Sequence, residues 1–427
     1  MRYIGVRGQA IVWVSDTKPV VPTTQTVLTL PPDLESISTE TLMSGYYVRG
    51  GRILSRSEVI PPEEIRVAMI ARYGINCGIA TYTKYLCDQI RSRVKTVKIF
   101  SEGSTPLPGD DTDNVVRCWT SSEDYTGVLD AINAYEPDVV FVQHEYGCFS
   151  NASAWNVLIG HLSSKWRTVV VLHSVYEHPS KLIFEAPCQE VVVHSLSAKD
   201  LLVRRGIDHC KIHYIPHGCL ETQTIDTKWS SVGSKHIIFQ YGFGYEYKGW
   251  ENAIEIVDRL RVKYPDVVYI GIFNISKYTE EFNNQYYQKL MSKVRDRKLE
   301  KHFVLHKGFR HENVLLSYLC QAQVAIFPYW NHPEWLVHGA SGAVRMALAS
   351  GTPTVVGDVP FFTEFKGHVP VCNTLDDYVA TISKIFDNPA YRKEILDKTK
   401  KFIGDRSWDK VAEWYLECTP GKEFTAL

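Results

Sequence analysis

Residues 338–356, HGASGAVRMALASGTPTVV, join a helix, a turn and a strand. Small residues from Gly339 to Ala343 lead into an apolar helical segment, and Gly351-Thr352-Pro353 then turns the chain into a β-branched run. Such a helix–turn–strand unit is typical of α/β proteins. Because the first turn of the helix carries so little side chain, its backbone N–H groups are open to a ligand. Close packing of the helix on a sheet would also require small residues.

The same alternation extends through the surrounding C-terminal sequence. Its apolar, strand-length runs are HIIFQYG at 236–242, DVVYIGIF at 266–273, HFVLHKG at 302–308, QVAIFP at 323–328 and TPTVVG at 352–357. Helical segments are predicted at about 250–263, 279–297 and 311–320. Continuous apolar strands between helices indicate a parallel sheet that is covered on both faces.

An earlier series has the same pattern. Its strands are IRVAMIA at 65–71, VKIF at 97–100, DVVFVQ at 138–143, TVVVLH at 168–173 and EVVVHS at 190–195, and its helices are predicted at 79–90, 152–161 and 198–205. The sequence therefore predicts an α/β protein with two doubly wound domains.

Four segments follow from these patterns. Residues 1–62 contain short β-rich pieces separated by Pro and Gly, with a hairpin turn expected at Gly50-Gly51, and they form a β-rich N-terminal appendage. Residues 63–220 form the first domain and 221–406 the second. Residues 407–427 contain a helix that we expect to pack back on the first domain.

The composition is that of an ordinary globular protein. Of 427 residues, 44% are hydrophobic and 22% are charged, and the net charge of -1 indicates no overall attraction to nucleic acid, although a local basic face remains possible. No apolar run reaches the ~20 residues of a membrane span, and the N-terminus does not resemble a signal peptide. None of the 10 cysteines forms a C-x-x-C pair, so neither a disulfide framework nor a zinc site is expected. We expect a cytoplasmic protein.

Ligands of open α/β sheets bind beyond the carboxyl ends of the strands, so residues after each apolar run are candidate site residues. Gly74 and Gly78 follow the first strand of the first domain and precede a helix whose start favours an anion. A tight turn is the alternative explanation, and no G-x-G-x-x-G fingerprint is present.

Ionisable side chains follow two later strands of the first domain. They are His144 and Glu145 in QHEYGCF, and His173 and Glu177 in LHSVYEHP. A single histidine at a strand end is more often a structural hydrogen-bonding residue, but several such clusters at one sheet edge indicate a cleft that binds substrate.

The second domain has a candidate phosphate site. YGFGYEYKGW places Gly242 and Gly244 after a strand and Lys248 before a helix, which fits a phosphate clamp; a solvated surface lysine is the alternative. Together with the helix that begins at Ser341, Gly342 and Ala343, this segment predicts a site for a diphosphate.

One short stretch matches a metal-binding pattern, but its position in the sequence argues against a metal site. Asp111-Thr112-Asp113 matches the D-x-D pattern of some metal-dependent sugar transferases, where it ends a strand. Here it lies in a polar loop that precedes a strand, so we expect no metal site.

In their order, these segments resemble the retaining glycosyltransferases of the GT-B fold, in the large family (glycosyltransferase family 4-like) that includes sucrose synthases and bacterial mannosyl- and glucosyltransferases. The resemblance covers roughly residues 65–418. Its most specific segments are YGINCGIATYTKYL, FVQHEYGCF, VVVLHSVYEHPS, VVVHSLSAKDLL, KIHYIPHG, YKGWENAIEIV and SGAVRMALASGTPTVV.

The resemblance implies two Rossmann-like domains that face across a cleft, with a nucleotide sugar on the C-terminal domain and the acceptor on the N-terminal domain. From the positions that match the family's motifs, the resemblance implies that Gly78 approaches the donor phosphates and that His173 lies beside the transferred sugar. It also implies that Lys248 and the backbone around Ser341 and Gly342 bind the diphosphate. No metal or other cofactor is implied, because a lysine and a helix dipole can stabilise the leaving diphosphate.

The sequence departs from the family at three positions. The family's paired glutamates fall on His338 and Met346, and its arginine five places before the lysine falls on Phe243. A methionine thioether is at best a weak acceptor for ribose hydroxyls. Either Glu334 and other groups substitute, or the donor differs, or activity has been lost.

The sequence thus predicts a metal-independent retaining glycosyltransferase that uses a nucleotide-diphosphate sugar. The acceptor is left open between a glycan, a lipid-linked compound, a small molecule and modified DNA, and so is the oligomeric state. Two alternatives remain. One is a catalytically impaired relative that binds glycan or acts as a subunit, and the other is an enzyme that glycosylates hydroxylated bases of viral DNA.

Overall fold

The computed structural model describes residues 3–7, 10–15, 26–39, 42, 46–49, 52–55, 60–103, 113–120, 124–149, 151–178, 190–221, 236–276, 279–331 and 336–418. The chain divides into two compact units. Unit 1 comprises Met1–His173, Lys181–Ile215 and the chain from Ala412 on, and unit 2 comprises Ser174–Ser180 and Pro216–Val411. Within the described ranges, no helix is both long enough and apolar enough to cross a membrane.

The N-terminal segment of unit 1 forms a five-stranded antiparallel sheet, which confirms the predicted β-rich appendage. Its strands are β1 (Tyr3–Arg7), β2 (Ala10–Ser15), β3 (Thr26–Thr29), β4 (Tyr46–Arg49) and β5 (Arg52–Ser55), in the order β3-β1-β2-β4-β5. Arg49 lies opposite Arg52, as the predicted hairpin requires, while Gly50 and Gly51 lie outside the described residues. Four buried aliphatic side chains form its core: Ile4, Ile11, Leu30 and Leu42.

The rest of unit 1 is built on a seven-stranded parallel sheet. Its strands are β6 (Arg66–Ile70), β7 (Thr96–Glu102), β8 (Val115–Trp119), β9 (Val139–His144), β10 (Arg167–Leu172), β12 (Glu190–Val193) and β13 (Ile212–Tyr214). Its helices are α1 (Gly78–Ile90), α2 (Thr126–Tyr135), α3 (Ala152–Lys165) and α4 (Leu196–Arg204). The order in the sheet is β13-β12-β10-β9-β6-β7-β8.

The strands of unit 2 are β11 (Ser174–Tyr176), β14 (His236–Phe243), β15 (Val267–Asn274), β16 (Phe303–Lys307), β17 (Val324–Phe327), β18 (Val337–Gly339), β19 (Thr354–Gly357) and β20 (Val371–Cys372). Six of them form a parallel sheet in the order β16-β15-β14-β17-β19-β20, and β11 pairs antiparallel with β18 in a separate two-stranded ladder. The helices are α5 (Trp250–Lys263), α6 (Glu280–Asp296), α7 (Glu312–Gln321), α8 (Gly342–Ala349), α9 (Leu375–Asp387), α10 (Pro389–Gly404) and α11 (Trp408–Glu417), the last of which continues into unit 1.

Two hydrophobic cores cover the opposite faces of the unit 2 sheet. Ile238 belongs to one core with Trp250 of α5, while its chain neighbours Ile237 and Phe239 belong to the other core with Val344 of α8. Because successive strand residues point to opposite faces, both faces are packed by helices. The sheet is therefore doubly wound, as the apolar strands predict.

Both parallel sheets have the same strand order. When only the strands of each parallel sheet are numbered along the chain, the first six are arranged 3-2-1-4-5-6, which is the order of Rossmann folds. The order reverses between the first and fourth strands, which are β6 and β9 in unit 1 and β14 and β17 in unit 2. Ligands of such sheets bind at the carboxyl ends of these two strands.

Candidate functional site

In unit 2, three hydrogen bonds join the loop that follows β17 to the loop that follows β14 and to the first turn of α5. The Trp330 backbone N–H donates to the Tyr247 carbonyl at 3.1 Å, and the Trp330 indole N–H donates to the Glu246 carbonyl at 3.0 Å. The Asn252 amide donates to the Pro328 carbonyl at 3.0 Å. The two loops therefore form one surface at the point where the strand order reverses.

Gly249 allows the two loops to approach each other. Its φ of 73° is left-handed, and a Cβ at this position would lie 1.8 Å from the Pro328 carbonyl oxygen. Only glycine satisfies both conditions. Gly249 is also the residue between the short 3-10 helix Glu246–Lys248 and α5, where it is the C-cap of the first and the N-cap of the second, so it sets the position of Lys248.

Lys248 extends from the β14 loop to the residue that follows Pro328. Its ammonium donates a 2.7 Å hydrogen bond to the Tyr329 hydroxyl. It also lies over three aromatic rings, at 4.2 Å from the centroid of Tyr329, 4.9 Å from that of Tyr247 and 5.8 Å from that of Phe361. Burial among these rings lowers the pKa of Lys248 to about 7. Lys248 is therefore held in place by its neighbours and is not a solvated surface residue.

The start of α8 lies on the same surface. The Ser341 side chain caps the helix by accepting a hydrogen bond from the Val344 N–H, and it lies close enough to the Tyr329 hydroxyl to act on its pKa. Gly342 is exposed, so the first turn is open, and the Ala343 carbonyl accepts a hydrogen bond from Tyr241 at 3.2 Å. The positive end of the helix dipole and the Lys248 ammonium therefore meet at Tyr329, which favours an anion.

Arg345 holds this helix start to the loop after Ile215. It is 2% exposed, and its guanidinium donates to the His217 carbonyl at 2.9 Å and to the Ser341 carbonyl at 3.2 Å. Its charge is paired with the buried carboxylate of Glu364. As a result, the His217 ring lies beside α8, and a Cβ on Gly342 would be 3.4 Å from its Nε2.

His338 and Glu177 form a pair through the β11–β18 ladder. Val175 is paired with His338 in the register, and the His338 Nε2 lies 3.0 Å from the Glu177 Oε1. His338 is 5% exposed, whereas 42% of the Glu177 side chain is exposed. A carboxylate thus adjoins His338, but it comes from a distant part of the sequence. Met346 instead packs against the hydrophobic core of unit 2.

The other predicted residues of unit 2 differ in their surroundings. Gly244 is packed against Phe273, where a Cβ would lie 2.1 Å from the ring, so packing explains this glycine. Gly242 has a φ of 152° and open space beside it. Phe243 contacts Tyr245, with ring centroids 6.1 Å apart. Glu334 lies outside the described residues.

In unit 1, Gly78 is the first residue of α1 and is exposed. A Cβ there would meet no atom within 4 Å, and no side chain caps this helix start. The backbone N–H groups of the first turn therefore receive no side-chain cap, and anion binding at this helix start stays a prediction.

His173 belongs to a buried hydrogen-bonded network of unit 1. Its Nε2 lies 2.8 Å from the Gln143 Oε1, and Gln143 in turn lies close enough to Tyr415 of α11 to act on the pKa of its hydroxyl. The Tyr415 hydroxyl is 2.8 Å from that of Tyr82, whose ring lies edge-on to His173. Burial is the main cause that holds the pKa of His173 well below its usual value, and the neighbouring His194 and His144 lower it further. The imidazole is therefore neutral. A neutral ring facing the Gln143 carbonyl oxygen carries its proton on Nε2.

His144 and Glu145 occupy different environments, although they are adjacent in sequence. His144 is fully buried between Trp155, at 4.6 Å between ring centroids, and the stacked ring of Phe149. Burial lowers its pKa to about 3. Glu145 is partly exposed, and its carboxylate accepts a hydrogen bond from the Tyr146 N–H at 3.1 Å. These two residues lie in unit 1, whereas Glu177 lies in unit 2.

The metal prediction is only partly covered by the described residues. Asp111 and Thr112 lie outside them. Among the side chains that the structure describes, no group of three or more His, Cys, Asp and Glu residues is arranged to hold a metal ion.

Three residues of the unit 2 site are not among those predicted from the sequence: Tyr329, His217 and Arg345. Tyr329 follows the apolar run QVAIFP, so the rule that selected Lys248 also applies to it. His217 stands in KIHYIPHG, which is one of the segments that resemble the family. Arg345 had no comparable signal, because an arginine in an apolar helix is not by itself a sign of a buried ion pair.

The comparisons with known proteins agree with this fold. No family model and no curated protein match the sequence. Among solved structures, the chain is similar to Anabaena HepE in complex with UDP and glucose, with 13% identity, a TM-score of 0.64, and coverage of 83% of this chain and 99% of that one. A glycosyltransferase from Rickettsia africae matches with 14% identity, a TM-score of 0.64, and coverage of 83% and 97%. A UDP-forming trehalose-phosphate synthase from Burkholderia xenovorans matches with 12% identity, a TM-score of 0.62, and coverage of 83% and 98%.

At these identities the likeness establishes the fold alone. The predicted α/β class with two Rossmann-like domains of the GT-B type is confirmed. The chain therefore shares its architecture with solved nucleotide-sugar glycosyltransferases.

Proposed function

We propose that the protein transfers a sugar from a nucleotide-diphosphate sugar to an acceptor. The observation that supports this most is the convergence of Lys248, the Tyr329 hydroxyl and the open start of α8 on one surface of unit 2. The fold that the chain shares with solved glycosyltransferases further supports the proposal. The HepE structures hold UDP or UDP-glucose, so UDP and its sugars are the first ligands to test.

The chemistry follows from where charge develops. As the bond between the sugar and the diphosphate breaks, negative charge accumulates on the leaving diphosphate. The Lys248 ammonium and the N–H groups around Gly342 would stabilise that charge, and no metal or other cofactor is needed for this role. We further propose retention of the anomeric configuration, as the family resemblance implies.

Other residues keep more general proposed roles. Glu177, with 42% of its side chain exposed next to His338, is a candidate for binding substrate hydroxyls. For His173 we keep the role implied by the resemblance, a contact with the transferred sugar. Its neutral state suits such a contact, because it leaves Nδ1 as a hydrogen-bond acceptor. Gly78 is proposed to approach donor phosphates through its open helix start.

The first test is a thermal shift with UDP, GDP, ADP and their sugar derivatives. We expect at least one nucleoside diphosphate to raise the Tm by mass action, and Lys248→Ala to remove most of the increase. Lys307→Ala is the matched control, because Lys307 is an exposed lysine of unit 2 that bonds to Asn284. No shift with any of these ligands would count against the proposal.

One observation favours a second candidate, a relative that binds nucleotide sugar without transferring it. Met346 packs against the core and supplies no carboxylate for a ribose. If the protein binds a nucleotide sugar but neither transfers nor hydrolyses it with any acceptor class, the second candidate is correct. Release of nucleoside diphosphate that depends on an added acceptor supports the enzyme.

A further inference from the structure

Tyr329 is the point at which the two parts of the proposed diphosphate site meet. Its hydroxyl accepts the hydrogen bond from the Lys248 ammonium at 2.7 Å, and the Ser341 side chain, which caps α8, lies close enough to act on the pKa of the same hydroxyl. Lys248 follows β14 and Tyr329 follows β17, the two strands between which the strand order reverses. A single side chain therefore connects the cation to the helix start.

The surroundings fix the position of this hydroxyl. Tyr329 is only 4% exposed, and its ring packs on Phe362 with centroids 4.6 Å apart. The backbone on both sides of it is held, on one side by the Asn252 bond to the Pro328 carbonyl and on the other by the Trp330 bond to the Tyr247 carbonyl. The hydroxyl thus has little freedom to leave the site.

We propose that Tyr329 is a positioning residue that holds the Lys248 ammonium at the start of α8, and that its hydroxyl also binds the diphosphate. This inference rests on the proposed function. A phenol can accept a hydrogen bond from an ammonium while it donates its own hydrogen to a phosphate oxygen. Burial raises the pKa of Tyr329, so the phenol keeps that hydrogen over the physiological range.

The position of Lys248 explains why such a group is needed. Among the described residues, the side chains that face its ammonium are Tyr247 from its own turn, Tyr329 from the β17 loop and Phe361 from the 3-10 helix Pro360–Phe365. Rings stabilise a cation through their faces but replace little of its hydration. The Tyr329 hydroxyl supplies the oxygen that an ammonium requires in such a pocket. Without it, the neutral amine is favoured, and the amine binds an anion poorly.

The test compares Tyr329→Phe with Tyr378→Phe. Tyr378 is also 4% exposed, lies in the same unit, and donates from its hydroxyl to the Phe327 carbonyl at 3.3 Å. Each change removes one buried hydroxyl and keeps the ring. Two quantities are measured: the Kd for UDP by titration calorimetry, and the pKa of Lys248 in the free protein by NMR of ¹³C-methylated lysines, with the signal assigned from Lys248→Arg.

We expect Tyr329→Phe to weaken UDP binding about tenfold, the usual size for a lost hydrogen bond to a charged group, and to lower the pKa of Lys248 further. Tyr378→Phe should change neither quantity. The melting temperature of each variant shows whether its fold is retained.

The remaining outcomes are distinct. If Tyr329→Phe leaves both quantities unchanged, the inference is overturned. If the pKa falls but the UDP affinity does not, the part that binds diphosphate is wrong and the positioning part stands. If the wild-type protein binds no nucleoside diphosphate, the proposed function fails together with the ligand part, and the pKa comparison still decides whether Tyr329 holds Lys248.

Discussion

Lys248 is the single residue on which the proposed chemistry depends most. Its ammonium is buried among three rings and lies within hydrogen-bond distance of one hydroxyl, so its pKa is lowered to about 7. Near neutral pH the free protein therefore carries both the charged and the uncharged form of this lysine. An anion needs the charged form, so binding and protonation of Lys248 are linked.

The linkage predicts how the Kd of a nucleoside diphosphate changes with pH. Below pH 7 Lys248 is already protonated, and its titration has no effect on binding. Above pH 7, binding must take up a proton, so affinity falls by up to about tenfold per pH unit until the pKa of the complex is reached. Titration calorimetry between pH 6 and 9 measures this slope.

Lys248→Arg is the control, because arginine stays charged over this range. It reports the contribution of the ligand's own titration, and we expect the fall above pH 7 to disappear. A slope in Lys248→Arg equal to that of the wild type would contradict the assignment to Lys248.

Sequence motifs predict which residues lie at the site better than they predict the hydrogen-bond partners of those residues. Lys248 and Ser341 follow from their positions after a strand and before a helix. The partner of Lys248 is Tyr329, 81 positions away, and the partner of His338 is Glu177, 161 positions away. Only the register of the sheets brings such residues together, so neither pair follows from a local pattern.

Among the elements, the loop between β14 and α5 determines the geometry of the site. Gly249 ends a 3-10 helix in a left-handed conformation directly against the Pro328 carbonyl. The contact brings the β14 loop and the β17 loop within hydrogen-bond distance of each other.

We predict that Gly249→Ala separates the two loops, because the added Cβ would lie 1.8 Å from the Pro328 oxygen and the left-handed φ would be strained. The expected cost is about 2 kcal/mol or more in the free energy of unfolding, together with a loss of UDP binding. Urea denaturation and calorimetry measure the two effects.

The matched control is Gly404→Ala, at the end of α10, where a Cβ would meet no atom within 4 Å. It should leave stability within about 0.5 kcal/mol and binding unchanged. Unaltered UDP binding in Gly249→Ala would show that the approach of the two loops is not required.

Hydrophobic periodicity predicts the long elements well and the short ones poorly. The helix expected at 250–263 is observed as Trp250–Lys263, because an amphipathic face and Gly249 define it. The helix expected at 198–205 begins earlier, at Leu196, because Ser195 caps it. Strands β11 and β18 have three residues each and pair across a long sequence separation, so no periodicity reveals them.

For the whole molecule, the alternation of strands and helices was sufficient to predict two Rossmann-like units, because each apolar run needs helices on both faces. The alternation does not specify which unit a short segment joins. Ser174–Ser180 groups with unit 2, and the chain from Ala412 groups with unit 1, where Tyr415 bonds to Tyr82. These assignments depend on long-range packing.

The low sequence identity to the solved structures of the same fold means that the fold alone does not determine the function. Identities of 10 to 14% with the solved glycosyltransferases show that the architecture tolerates almost complete replacement of the sequence. Function therefore has to be argued from the residues at the site. Here those residues are Lys248, Tyr329, and Ser341 with the helix that it caps.

A crystal structure of the protein soaked with UDP tests the central claim most directly. We predict that the diphosphate lies within hydrogen-bond distance of the Lys248 ammonium, the Tyr329 hydroxyl and the first backbone N–H groups of α8. A diphosphate bound away from these three groups, or no UDP bound in unit 2 at a saturating concentration, would contradict it.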